Sequence, residues 1–293
     1  MVEKFRGTGV ALVTPFNEDK SVDYDTLARL VKHVSDGGVS YLVVMGTTAE
    51  SPTLGKKEQV EVLNFVKASN ERNLPIVFGM GGNNTAALVE RYRSFNEEVD
   101  AFLVVTPYYN RPSQQGLIEH YTAVADVASK PVILYNVPKR TGTNMTAKTV
   151  LALANHPNII GVKEASGGNL QQTLEIAHGM PDDFLLTSGD DDLIIPFMGA
   201  GGHGVISVIA NALPAQTVEL VNLSLKKDKV GANKVNETVS PFLDLIFREG
   251  SPAGIKCLLQ HMGFGTGALR LPLVPVTPGL KKEIGDTYDS LIN

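Results

Sequence analysis

Between residues 10 and 225 the sequence alternates short apolar runs with longer amphipathic stretches, and this alternation limits the possible folds most. The apolar runs are 10–16, 41–46, 76–81, 101–107, 132–138, 159–165, 184–188 and 204–208. Each is short, rich in β-branched residues and bounded by Gly, Pro or polar turn residues, as buried parallel strands are. Between them, apolar residues recur at helical spacing: Leu27, Leu30, Val31 and Val34; Val60, Leu63 and Val66; Leu117, His120, Tyr121 and Val124. Stretches 146–154, 170–177 and 214–225 repeat the pattern. The unit returns every ~25–35 residues, the size of one βα repeat.

Eight such units predict an α/β fold, a (β/α)8 TIM barrel over residues 1–225. An open doubly wound sheet alternates too, but its strand ends spread along an edge. Here the polar residues gather where the strands finish: Thr14, Thr47 and Thr48, Asn83, Thr106 to Tyr109, Tyr135 and Asn136, Lys163 and Glu164, and Ser188 to Asp190. In a barrel all of these converge on one mouth. After residue 225 the strand signal ends. Stretches 230–248, 254–262 and 278–292 predict three helices, so residues 226–293 form a small C-terminal helical domain.

The sixth run carries the chemistry. Ile159-Ile160-Gly161-Val162 leads into Lys163-Glu164-Ala165 and stops at Ser166-Gly167-Gly168. A period of two puts Ile159, Gly161, Lys163 and Ala165 on one face, with Gly161 leaving room for the lysine stem. Apolar surroundings disfavour an ammonium and favour a neutral amine able to attack a carbonyl. A lone strand-end lysine more commonly snorkels to solvent. The hydroxyls of Thr47, Thr48, Tyr108, Tyr109 and Tyr135 at neighbouring strand ends favour the nucleophile, because a Schiff-base reaction needs a proton relay beside its amine. Individually, Tyr135 could be core packing and Thr47 a helix cap.

Other chemistries find less support. A net charge of −5 and a pI near 5.7 give no reason to expect nucleic acid or an anionic membrane as partner. One cysteine, Cys257, excludes an internal disulfide and reads as a buried apolar residue in a reducing compartment. No signal-like or membrane-length apolar run occurs, so a cytoplasmic location is expected. Gly199 to Gly204 matches G-x-G-x-x-G but opens a strand instead of a helix, so it reads as a tight turn. In Gly79 to Asn84 the third glycine is misplaced. Asp190, Asp191 and Asp192 read as turn formation and capping of the next helix, and no histidine spacing suits a metal.

Taken together, Gly46-Thr47-Thr48-Ala49-Glu50-Ser51, Thr106-Pro107-Tyr108-Tyr109-Asn110, Tyr135-Asn136-Val137-Pro138, Gly161-Val162-Lys163-Glu164-Ala165 and Gly204-Val205-Ile206-Ser207-Val208 resemble the pyruvate-dependent class I aldolase/lyase superfamily. The resemblance runs essentially end to end. Arg140 narrows it to the synthase branch, which condenses pyruvate with L-aspartate 4-semialdehyde in lysine and diaminopimelate biosynthesis. It implies that Lys163 forms an imine with pyruvate, with no added cofactor, and that Tyr135 moves protons beside it. It further implies a relay through Thr47 and through Tyr109 from a neighbouring subunit. Thr48, Gly189 and the Ile206 carbonyl would line the pyruvate site, and Arg140 would take the carboxylate of the aldehyde. A homodimer, commonly doubled to a homotetramer, is implied with them. Ala49 and Met80 depart from the common pattern near the mouth. At positions where lysine-inhibited members usually carry histidine- and glutamate-type groups, this chain has Lys56, Gln59 and Ala87, so weak or absent feedback by L-lysine is expected.

Overall fold

The computed structural model describes residues 2–292; residues 1 and 293, the outer limits of the two expected domains, lie outside the described residues. Eight parallel strands close into a barrel in sequence order. They are β1 (Gly7–Ala11), β2 (Tyr41–Val44), β3 (Ile76–Gly79), β4 (Ala101–Val105), β5 (Val132–Asn136), β6 (Ile159–Glu164), β7 (Leu185–Ser188) and β8 (Gly204–Ser207). The connecting helices are α1 (Tyr24–Asp36), α2 (Lys56–Ser69), α3 (Thr85–Arg93), α4 (Gln114–Ala125), the short α5 (Pro138–Thr141), α6 (Ala147–Leu153), α7 (Leu170–Gly179), α8 (Ile194–Gly199) and α9 (Pro214–Leu225). Three further helices follow: α10 (Lys229–Arg248), α11 (Ala253–His261) and α12 (Pro278–Ile292).

Two apolar layers hold the barrel. Inside, Tyr41, Val43, Val77, Leu103, Ile133 and Leu185 pack across the axis. Outside, Leu42, Phe78, Phe102, Leu134, Val162 and Leu186 meet the inward stripes of the helices. This alternation is the strand period at work. Where large side chains fill the interior, glycine yields space: a Cβ on Gly9 would lie 2.2 Å from the Tyr41 ring. Where the expected turn meets the first residue of β8, a Cβ on Gly204 would sit 2.0 Å from the Gly7 carbonyl oxygen, so close backbone approach excludes any side chain there.

Several expectations shift. The first strand is residues 7–11 instead of 10–16: Leu12 N–H still donates to the Val43 carbonyl at 3.1 Å, but Val13 N–H turns to the Asn211 side chain at 3.1 Å and the chain leaves the ladder. On α2 the buried face is Gln59, Val62, Leu63 and Val66, with Val60 turned partly outward. A register irregularity between Val132 and Ile133 pairs Val132 with Ile159 but Ile133 with Gly161. The extra residue in β6 puts Ile159 in the outer layer and Ile160 in the inner one. Ile159 therefore does not share a face with Lys163.

Candidate active site

The C-terminal ends of the strands surround a cavity of about 620 Å³ lined by Lys163, Tyr135, Thr47, Thr48, Gly189 and Arg140 among others. Lys163 stands one residue before the end of β6, registered with Tyr135 on β5 and Thr187 on β7. It is 5% exposed, and its Nζ lies 4.5 Å from the centre of the Tyr135 ring. Among the described residues it enters no ion pair. The amine thus faces the cavity without a carboxylate holding it.

The space for its stem comes from Gly189, not Gly161. A Cβ on Gly189 would lie 2.8 Å from Lys163 Cε and 2.7 Å from Ala165 Cβ. A Cβ on Gly161 would instead meet Leu185, with the Leu185 carbonyl oxygen 2.5 Å away. Next to the lysine, Glu164 turns to the opposite face, where it accepts from Ser166 N–H at 2.8 Å, Gln172 Nε2 at 2.9 Å and Asn136 Nδ2 at 3.0 Å. Burial pushes the Glu164 carboxyl up, and these donors oppose the shift. The network clamps the ends of β5 and β6, and with them Tyr135 and Lys163. On the other flank, Thr106 N–H and Oγ1 both donate to the Tyr135 carbonyl, at 2.9 and 3.0 Å.

Thr47 and Thr48 begin a single 3-10 turn (Thr47–Ala49) after Gly46, which is itself the cap, so Thr47 is not one. The turn is fixed from below: Thr14 Oγ1 donates to the Ala49 carbonyl at 2.8 Å. Glu50 follows with a left-handed φ of 57° and is buried. Its carboxylate pairs with Lys256 of α11 and accepts from Arg270 N–H at 2.9 Å. Lys256 also donates to the Ala268 carbonyl at 2.9 Å, and burial pulls its ammonium down to about 8 against the attraction of Glu50. Sequence reasoning missed this pair, since its members lie 206 positions apart.

Arg140 sits on α5, exposed at the cavity edge, with Nη2 3.4 Å from the Ser251 carbonyl oxygen. It also lines a second cavity of about 440 Å³, which shares the wall Gly46, Thr47, Tyr135 and Val137 with the first. Tyr108 faces that second cavity. Tyr109 lines neither; it is 90% exposed with φ 74°, so within one chain the structure does not bring it to Lys163. Ile206 is buried in the inner layer beside Gly9, and the cavity wall there is formed by Val208, just past the end of β8.

The aspartate run does not cap the next helix. Asp190 Oδ2 accepts from Gly167 N–H at 3.1 Å, and Asp191 Oδ2 accepts from Val208 and Ile209 N–H at 2.9 and 3.1 Å. Among the described residues no group of three His, Cys, Asp or Glu side chains could hold a metal ion, and no helix is long and apolar enough to cross a membrane. Cys257 is buried in the outer layer as expected.

A closed (β/α)8 barrel with a buried, unpaired lysine beside a tyrosine at its C-terminal mouth defines a class I aldolase-type lyase. Comparison with known proteins makes this specific. Residues 4–290 match the dihydrodipicolinate synthetase family, and the chain belongs to it. It is 47% identical over 272 residues to the 4-hydroxy-tetrahydrodipicolinate synthase of Parabacteroides distasonis, covering 92% of this chain and 91% of that one. The crystal structure of dihydrodipicolinate synthase from Thermotoga maritima superposes with a TM-score of 0.94 at 33% identity, covering 98% of each chain. A structure described as the first monomeric dihydrodipicolinate synthase variant matches with a TM-score of 0.93 at 34% identity, covering 98% of this chain and 97% of that one.

Proposed function

We propose that the chain carries out its family's reaction through the amine of Lys163. It condenses pyruvate with L-aspartate 4-semialdehyde to 4-hydroxy-tetrahydrodipicolinate, in lysine and diaminopimelate biosynthesis. The observation that carries the mechanism is the buried lysine, in no ion pair among the described residues and registered against Tyr135.

Lys163 Nζ attacks C2 of pyruvate, and the Tyr135 hydroxyl delivers the proton that lets the carbonyl oxygen leave as water. The resulting imine loses a proton from C3, and the enamine attacks the aldehyde carbon. The new alkoxide takes a proton back from the relay of Tyr135 and Thr47. The amino group of the semialdehyde then attacks C2 and releases Lys163 as the ring closes. The iminium nitrogen of Lys163 draws off the electrons when C3 loses its proton and returns them when the C–C bond forms, and side chains move the protons, so no further cofactor is required. The backbone at Thr48 holds the pyruvate carboxylate, with Gly189 and the Ile206 strand shaping the pocket. Arg140, on the rim, receives the carboxylate of the semialdehyde.

Tyr109 completes the relay in a neighbouring copy of the chain. Its side chain stands away from its own cavity, which supports that reading, and makes the working form a homodimer or a pair of dimers in the cytoplasm. A solution mass of one chain in a fully active sample would contradict it.

The second cavity bears on regulation. Gln59 Nε2 donates to the Ser51 and Leu54 carbonyls at 2.8 and 3.0 Å, and its Oε1 accepts from Arg91 at 2.6 Å. Among the described residues no carboxylate lines this cavity, while Arg91 and Arg140 do. A dibasic amino acid would meet cations there, which supports weak or absent inhibition by L-lysine. The test is pyruvate consumption with the semialdehyde, run against N-acetylmannosamine and glyceraldehyde. Turnover with the semialdehyde alone, unaffected by added L-lysine, is expected. Turnover only with a sugar aldehyde would overturn the assignment, and inhibition by sub-millimolar L-lysine would overturn the regulatory part.

A further inference from the structure

Behind the lysine lies a carboxylate that the reaction scheme leaves without a role. Asp191 is 2% exposed, yet it lines the same cavity as Lys163, Tyr135 and Thr47. The segment it belongs to is pressed against the lysine: the Lys163 stem fills the space beside Gly189, two residues earlier. Its Oδ2 is held by the N–H groups of Val208 and Ile209, which anchors the turn after β7 to the turn after β8. Its Oδ1 is buried and makes no hydrogen bond of good geometry among the described residues, although the Ser207 hydroxyl lies close enough to act on the carboxylate. A buried carboxylate oxygen left open is costly unless something charged arrives beside it.

We infer that Asp191 is a positioning residue whose carboxylate supplies the counter-charge to the cationic imine on Lys163. This rests on the reading of Lys163 as the imine-forming residue. When the amine adds to the ketone, the C2–N bond forms, the C2–O bond breaks, and the oxygen leaves as water. The nitrogen then carries a positive charge on a buried side chain, where a fixed opposite charge acts strongly. Burial pushes the Asp191 carboxyl up, while the Ser207 hydroxyl, the two backbone N–H groups and the charge of Lys163 pull it toward the anion. Asp190 also feels Lys163, but it is more open to solvent, bonded to Gly167 N–H, and shares its field with Lys139 and Asp192. The inner of the two aspartates is therefore the partner.

The test is the pH dependence of borohydride trapping with pyruvate, on the full-length protein and two variants. Asp191→Asn keeps an oxygen for Val208 and Ile209 and removes only the charge. Without that charge the cationic imine is less stable. The pyruvate concentration giving half-maximal trapping at neutral pH should rise at least about tenfold, a change of ~1.4 kcal/mol. The pH profile of trapping should change with it, and Asp190→Asn should alter both less. If Asp191→Asn does not fold, Asp191→Ser, which also keeps an oxygen, carries the same expectation. A variant profile that overlays the wild type, or an equal shift from Asp190→Asn, overturns the inference. Absence of any pyruvate adduct in the wild type would instead remove the imine reading itself.

Discussion

Arg140 and Lys163 divide the labour of the mouth between a residue at the rim and one at the floor. Arg140 is exposed, on the first turn after β5, and its planar guanidinium can engage a carboxylate with two parallel hydrogen bonds. Lys163 is buried and addresses the ketone. Substitution of Arg140 by alanine should therefore raise KM for the semialdehyde by one to two orders of magnitude, about 1.4–3 kcal/mol of lost charge-assisted hydrogen bonding. Imine formation with pyruvate should be nearly unchanged. Steady-state kinetics beside adduct trapping would check this, and equal loss in both would refute the division. The lysine was legible because a charge closing an apolar run is conspicuous. Gly189 as its steric complement was not, because it belongs to the segment after β7, and the local sequence around Lys163 does not show which neighbouring strand end meets its stem. Asp191 was legible only as part of a polar turn. Its bonds run to Val208 and Ile209 on a different unit of the repeat.

Among the elements, those with a long apolar stripe were read well and those without were missed. Helix α9 spans Pro214–Leu225, as its pattern predicts. Helix α3 buries only Leu88 and Tyr92, and α8 has six residues including Pro196, so neither offers a stripe to detect. The apolar run at 10–16 misplaced β1 because glycine-rich Gly7-Thr8-Gly9 looks unlike a strand, although the Tyr41 ring fills the space that Gly9 leaves. The connection between the threonine turn and the C-terminal helices is likewise invisible locally, and it yields a prediction at this scale. Lys256→Met leaves the Glu50 carboxylate buried without its cation, which should cost about 3–5 kcal/mol of stability. Adding Glu50→Gln removes the stranded charge, so the double variant should be more stable than Lys256→Met alone. Thermal or urea unfolding of the two singles and the double would measure the coupling, and strictly additive effects would show that the pair does not act as a unit.

For the molecule as a whole, one consequence of closure dominates. Eight strand ends that are far apart in sequence meet at one mouth, so Thr47, Tyr135, Lys163 and Gly189 share a cavity although they come from four different units. The repeat count made this convergence readable before any geometry was known. What the repeat could not show was how the mouth is divided into two cavities by the wall of Gly46, Thr47, Tyr135 and Val137, since that depends on side-chain packing. Tyr109, pointing away from both, extends the account to a second copy of the chain. The chemistry nonetheless rests on one nitrogen atom. Borohydride reduction in the presence of pyruvate, followed by peptide mapping by mass spectrometry, locates it. A single reduced adduct on Lys163, absent in Lys163→Ala, is expected; no adduct, or one on any other lysine, would refute the imine at this position.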